Sequence, residues 1–216
     1  MTERPNRPTI RVTDPKALRA LAHPIRLSLM AVLRSQGPLT ATTAGELLGE
    51  SSASTSFHLR QLAKYGLVEE AGGGHGRERP WRATKLFTDI PETTRDPKVG
   101  AASALTRGVV AEYYFSLLRR WLAIRDDEPE EWQRAALFGD TMIYVTAAEL
   151  AELGRQYEEL ADQYVDRLTD PSRRPPGARL VSVLRLAQPY LFGPAGESEP
   201  DQPDGPDAPG GTGPMP

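Results

Sequence analysis

The chain has 216 residues, no cysteine and a formal net charge of −3, which excludes disulfides, thiolate metal sites and cysteine-based redox sensing. The sum hides an asymmetry: residues 1–100 hold 15 Lys/Arg against 10 Asp/Glu (net +5), and residues 101–216 hold 11 against 19 (net −8). For nucleic-acid binding the distribution of charge counts for more than its total, and with no membrane-length apolar run and no apolar signal core the expectation is a cytoplasmic protein.

Residues 1–13 are polar and basic and read as a flexible arm. Asp14-Pro15 is a helix start, with Asp as N-cap and Pro at the first helical position. His23-Pro24 breaks that helix and opens a second, with Ile25, Leu29, Val32 and Leu33 at helical spacing up to Gln36-Gly37-Pro38. Leu39-Thr40 is a short extended piece. Thr43 to Glu46 has capping-box spacing and opens a short helix that ends near Gly49.

The stretch from Ser51 to Tyr65 has strong helix signals at both ends. Ser51 or Ser52 caps the start, and Gly66 permits the left-handed residue that closes a helix. Thr55, Leu59, Leu62 and Gly66 share one face; Ala53, Phe57, Arg60 and Lys64, flanked by Ser54, Ser56 and Gln61, form the opposite one. Clustered hydroxyls weaken a helix, so local stability does not account for them. Hydroxyls, one outward aromatic ring and an arginine suit the edges of base pairs in a major groove. Two helices joined by a tight turn make a helix-turn-helix. Leu67 to Glu70 and Glu78 to Thr84 read as strands of a hairpin. Its loop over 72–79 carries Arg77 and Arg79, which suit phosphates or a minor groove.

Residues 87–99 read as a linker, and a long helix is expected from about Ala101 to Asp126. Its two adjoining apolar stripes make a face wide enough for more than one neighbour. Glu130 to Trp132 starts a short helix, and Leu137 to Val145 reads as a strand. Thr146 to Glu149 is a capping box whose helix carries a near-heptad seam, Leu150, Leu153, Tyr157, Leu160, Tyr164 and Leu168. Arg179 to Leu186 alternates as a strand expected to pair with 141–145. Residues 193–216 form an acidic Pro/Gly tail expected to be disordered.

Four segments of the front half carry a resemblance: Leu18 to Leu27, Ser54 to Leu62, Gly66 to Glu69, and Gly76 to Trp81. Together they make residues 14–84 resemble the ArsR-type winged-helix transcriptional regulators. The resemblance implies a dimer bound to double-stranded DNA at a near-palindromic operator. By position, the resemblance implies that Ser54, Ser56, Phe57, His58, Arg60 and Gln61 lie at or beside the major groove, with Arg77 and Arg79 in the wing; Ser52 and Lys64 on the same helix join them as DNA-binding candidates. Family members that sense metals through cysteine pairs have no counterpart here, and the large region beyond residue 100 is an addition.

The expected fold is mainly α with small β: a winged helix-turn-helix over residues 14–86, then an α/β dimerisation or effector region over residues 100–192. The expected partners are double-stranded DNA, a second copy of the chain and a small-molecule effector, with no membrane and no cofactor or metal. Tyr113, Tyr114, Trp121 and Tyr144 are the candidate effector-binding residues, although core packing alone accounts for their spacing. The only histidines, His23, His58 and His75, form no catalytic or metal constellation in sequence, so no enzyme is expected. The alternative is a ligand-sensing or protein-interaction module that keeps the fold without reading DNA.

Overall fold

The computed structural model describes residues 7–74 and 79–190. The fold is mainly helical with two small sheets. Helix α1 (Pro15–Leu21) starts at Asp14, whose carboxylate accepts the Lys16 N–H, and α2 (Pro24–Gln36) starts at His23-Pro24. Helix α3 (Ala41–Leu48) begins earlier than the Thr43 capping box implies. Thr40 is the N-cap, its hydroxyl accepting the Thr43 N–H, because the chain is already helical at Ala41. Helix α4 (Ser52–Ala63) is capped by Ser51, whose hydroxyl accepts the Ser54 N–H.

The end of α4 is a Schellman turn. The Leu67 N–H donates to the Leu62 carbonyl (3.2 Å) and the Gly66 N–H to the Ala63 carbonyl (2.9 Å), with Gly66 at φ +68°. A side chain at Gly66 would be strained there, and the turn aims Leu67 back against Leu62, both fully buried. The chain then enters β2 (Val68–Glu70), antiparallel to β3 (Trp81–Ala83), and Leu39 adds a bridge to Trp81 on the far side. The expected hairpin strands are thus formed, with the extended piece at Leu39 added to them. His75 and Arg77 at the hairpin tip, and the tail over 193–216, lie outside the described residues.

Two expectations about the boundaries are corrected. Part of the N-terminal arm is ordered: β1 (Thr9–Arg11) pairs in parallel with β4 (Phe87–Asp89), and the Val12 N–H extends the ladder to the Asp89 carbonyl at 3.0 Å. The segment read as a linker therefore supplies a strand. It also supplies the start of α5 (Pro97–Ile124), four residues before the expected position, with Asp96 as N-cap. Val99, Ala102, Ser103 and Thr106 on its first turns are buried against the N-terminal helices. The core formed by Leu18, Leu29, Leu59 and Leu62 is thereby closed by α5, each fully buried leucine contributing about 1.5–3 kcal/mol.

Beyond α5 come α6 (Glu130–Ala135), α7 (Ala147–Asp162) and the single-turn α8 (Asp166–Thr169). The capping box at Thr146 and Glu149 forms as expected, with both reciprocal bonds present. Helix α7 stops at Asp162, so Tyr164 and Leu168 fall outside the regular seam, and Val165 is buried. The two expected C-terminal strands are not formed. Residues 137–145 and 179–186 carry no regular secondary structure and pair neither with each other nor with any other described strand. Strand patterning marks a segment that can pair; the hydrogen-bonding partner has to come from elsewhere.

Candidate nucleic-acid interface

The helix-turn-helix is built on a close approach between α3 and α4. A Cβ on Gly45 would lie 2.7 Å from the Glu50 carbonyl oxygen and 3.0 Å from the Thr55 hydroxyl, so the turn over 49–51 fits only against a bare α-carbon. The Glu50 N–H returns to the Gly45 carbonyl at 2.9 Å, and the Thr42 and Ser52 hydroxyls meet at 3.1 Å across the outer side. Thr55, Leu59 and Leu62 anchor α4 in the core with no measurable exposure.

That anchorage presents the opposite side of α4 to solvent. Ser52, Phe57, Arg60 and Lys64 are exposed, and Ser54, Ser56 and Gln61 are half-buried beside them. Phe57 is 50% exposed on this side, an apolar ring among the polar and basic groups. Among the described residues Arg60 and Lys64 form no salt bridge; Lys64 only sits over the Tyr65 ring at 5.8 Å. The 12-residue helix is about 18 Å long, suited to a major groove about 12 Å wide.

His58 departs from its expected place. It is buried, with its ring 4.6 Å from that of His23 and edge-on to Phe57 at 5.3 Å. Arg26 donates from Nε to His58 Nδ1 (3.3 Å) and from Nη1 to the Ala20 carbonyl. The residue follows Phe57 by 100° around the helix, enough to turn it from the outer face into the joint with α2. Burial lowers the His58 pKa, and the neighbouring His23 and Arg26 lower it further against an opposing pull from Glu50. His23 is lowered likewise, first by burial and then by Arg26. An Nδ1 that accepts a hydrogen bond belongs to a neutral imidazole.

The wing carries its charges differently. Arg79 is exposed but paired with Glu70 (3.1 Å), and Arg82 with Glu69 (2.8 Å). The register sets Glu69 directly opposite Arg82. Sequence reading missed the two carboxylates, although a Glu-Glu pair facing alternating arginines across a hairpin was the available signal. Among the described residues α4 thus offers cations without a salt-bridge partner, while these hairpin cations are covered by anions that a phosphate would have to displace.

The four candidate effector residues do not converge. Tyr113 and Tyr114 are neighbours on α5, with ring centroids 5.5 Å apart. Burial raises the Tyr114 pKa and lowers that of Arg34 on α2 to about 10. Trp121 lies two turns on, lining a hollow of about 460 Å³ with Arg125, Arg134 and Phe138, and Tyr144 is fully exposed in the irregular segment 137–145. Among the described residues no group of three or more His, Asp or Glu could hold a metal, and no helix is long and apolar enough to cross a membrane.

Comparison with known families gives one match, to a model described as a helix-turn-helix domain, over residues 21–71. The matched span runs from the end of α1 through α2, α3, α4 and β2. No curated protein matches the chain.

Proposed function

Starting from a chain that carries a helix-turn-helix DNA-binding domain, we propose that this protein is a sequence-specific transcriptional repressor of the ArsR type, binding a near-palindromic operator as a homodimer. Helix α4 lies in the major groove and the wing on the backbone or minor groove. The observation that carries the reading is the outer stripe of α4, where Ser52, Phe57, Arg60 and Lys64 are exposed on the side opposite the buried Thr55, Leu59 and Leu62. Each has a use in a groove: Arg60 for a guanine edge, Phe57 for a thymine methyl, Ser52 for either base edges or phosphate, Lys64 for phosphate. Ser54, Ser56 and Gln61 support the same surface, His58 holds α4 on α2, and Arg77 with Arg79 completes the wing contact. A dimer related by a two-fold axis sets two such helices about 34 Å apart.

The test is selection of bound fragments from random DNA by the full chain, followed by footprinting at two salt concentrations. The expected result is a protected inverted repeat whose affinity falls steeply with salt, because phosphate contacts release counterions. Arg60→Ala then relaxes base preference at one position of each half-site. Uniform weak binding, or none, overturns the reading. It would favour the alternative of a protein-interaction module, which the Glu69 and Glu70 carboxylates in the wing support.

A further inference from the structure

The C-terminal half has strand-like sequence without a sheet. Residues 137–145 and 180–184 expose ten large apolar side chains between them, among them Phe138, Met142, Tyr144 and Val181. Among the described residues none of these positions makes a hydrogen bond, ring contact or ion pair. Eight of the ten lie within 141–145 and 180–184; at on the order of 100 Å² apiece they present about 800 Å², matching the ~800 Å² per partner that a stable interface buries. Helix α7 adds to this surface, with Leu153 and Leu160 about half exposed on one face. Open backbone and open apolar surface together are what a strand shows when its partner is missing.

Both segments leave from one place. Leu137 follows the end of α6 by two residues, and Arg179 is held beside the start of that helix, bonded to the carboxylate of Glu128 just before it (2.6 Å) and stacked 5.1 Å over Trp132 within it. With their roots side by side, the two strands would run parallel if they paired alongside each other within one chain. A two-fold axis instead offers each an antiparallel partner, the commoner arrangement, and closes the assembly at two chains. We propose that these segments are exchanged strands: residues 141–145 of one protomer pair with residues 180–184 of a second copy, forming a sheet between the two chains over the apolar faces of α7. This rests on the homodimer reading above and gives it a specific interface.

The absence of native cysteine makes the pairing directly testable in the full chain. Ile143→Cys and Val183→Cys are made singly, given different affinity tags, co-expressed and treated with a short bifunctional maleimide; the double variant is treated in parallel. The expected result is a mixed two-chain product carrying both tags, formed in preference to either variant with itself. Ile143→Asp is expected to weaken dimerisation at least about tenfold in sedimentation while the helical circular dichroism is kept. A dimer that gives only an intrachain product in the double variant, or no product at all, overturns the exchange and leaves the dimer standing. A wild-type chain that sediments as a monomer overturns both, and DNA selection then judges the helix-turn-helix separately.

Discussion

The Thr106 hydroxyl lies 2.9 Å from the Leu18 carbonyl oxygen, joining α5 to α1 across 88 positions of sequence in a site with no measurable solvent access. The same hydroxyl is 2.7 Å from the Ala102 carbonyl, so one proton is shared between a bond within the helix and a bond between helices. Thr106→Val keeps the shape and removes that proton. The expected loss is about 1 kcal/mol, read as a fall of a few degrees in the thermal midpoint; an unchanged midpoint would mean that the link does not hold α5 in place.

Gly45→Ala is expected to cost about 1–3 kcal/mol, because its Cβ would lie 2.7 Å from the Glu50 carbonyl, which is backbone and yields only if the turn moves. The displacement falls on the start of α4, so operator affinity should fall more than stability alone accounts for. Thermal unfolding and fluorescence anisotropy on one preparation separate the two effects; loss of stability with intact affinity would place the strain elsewhere.

Glu70→Gln releases Arg79 without changing side-chain size. Exposed ion pairs of this kind contribute only about 0–1 kcal/mol, so stability should hardly move. DNA affinity should rise, and the slope of log affinity against log salt should steepen by up to about one phosphate contact. A salt series by anisotropy reads this directly, and a weaker, flatter response would show that the wing does not approach the backbone.

Stability should decline with acid through the joint between α2 and α4. His23 and His58 have pKa values lowered in the folded chain, first by burial. The unfolded chain, with histidine near pKa 6.5, then binds more protons between the two states' values, so stability is full above about pH 6.5 and falls as pH drops below it. His58→Gln can still accept from Arg26 and should flatten the midpoint-against-pH curve between pH 7 and 5. An equal slope in the variant would assign the acid sensitivity to other groups.

The front half was legible because its signals are local. Asp14-Pro15, Ser51 and Gly66 each act within one helical turn, and the two faces of α4 follow from periodicity alone. The parallel pairing of Thr9–Arg11 with Phe87–Asp89 was not, since two three-residue strands 78 positions apart in register carry no period that distinguishes them from coil. The early start of α5 was legible but unread: Asp96-Pro97 repeats the Asp14-Pro15 signal. His58 sits where a core face meets an outer face, a place that spacing resolves only to about a third of a turn. At 137–145 and 179–186 the strands expected from β-forming and alternating residues are not formed, because a pairing partner is not a property of the segment that needs it.

Helix α5 is a single run of 28 residues, about 42 Å, whose first turns belong to the DNA-binding core. In the proposed dimer, a rotation at its far end would thus be carried to the helix-turn-helix of each chain as by an axle. One residue inserted after Gly108 would advance everything beyond by about 1.5 Å and turn it by about 100°, whereas seven would nearly restore the phase. In the proposed dimer the spacing between half-sites would therefore be written in the length of this helix, and a chain with the same α4 but a different α5 would be expected to read the same bases at a different separation.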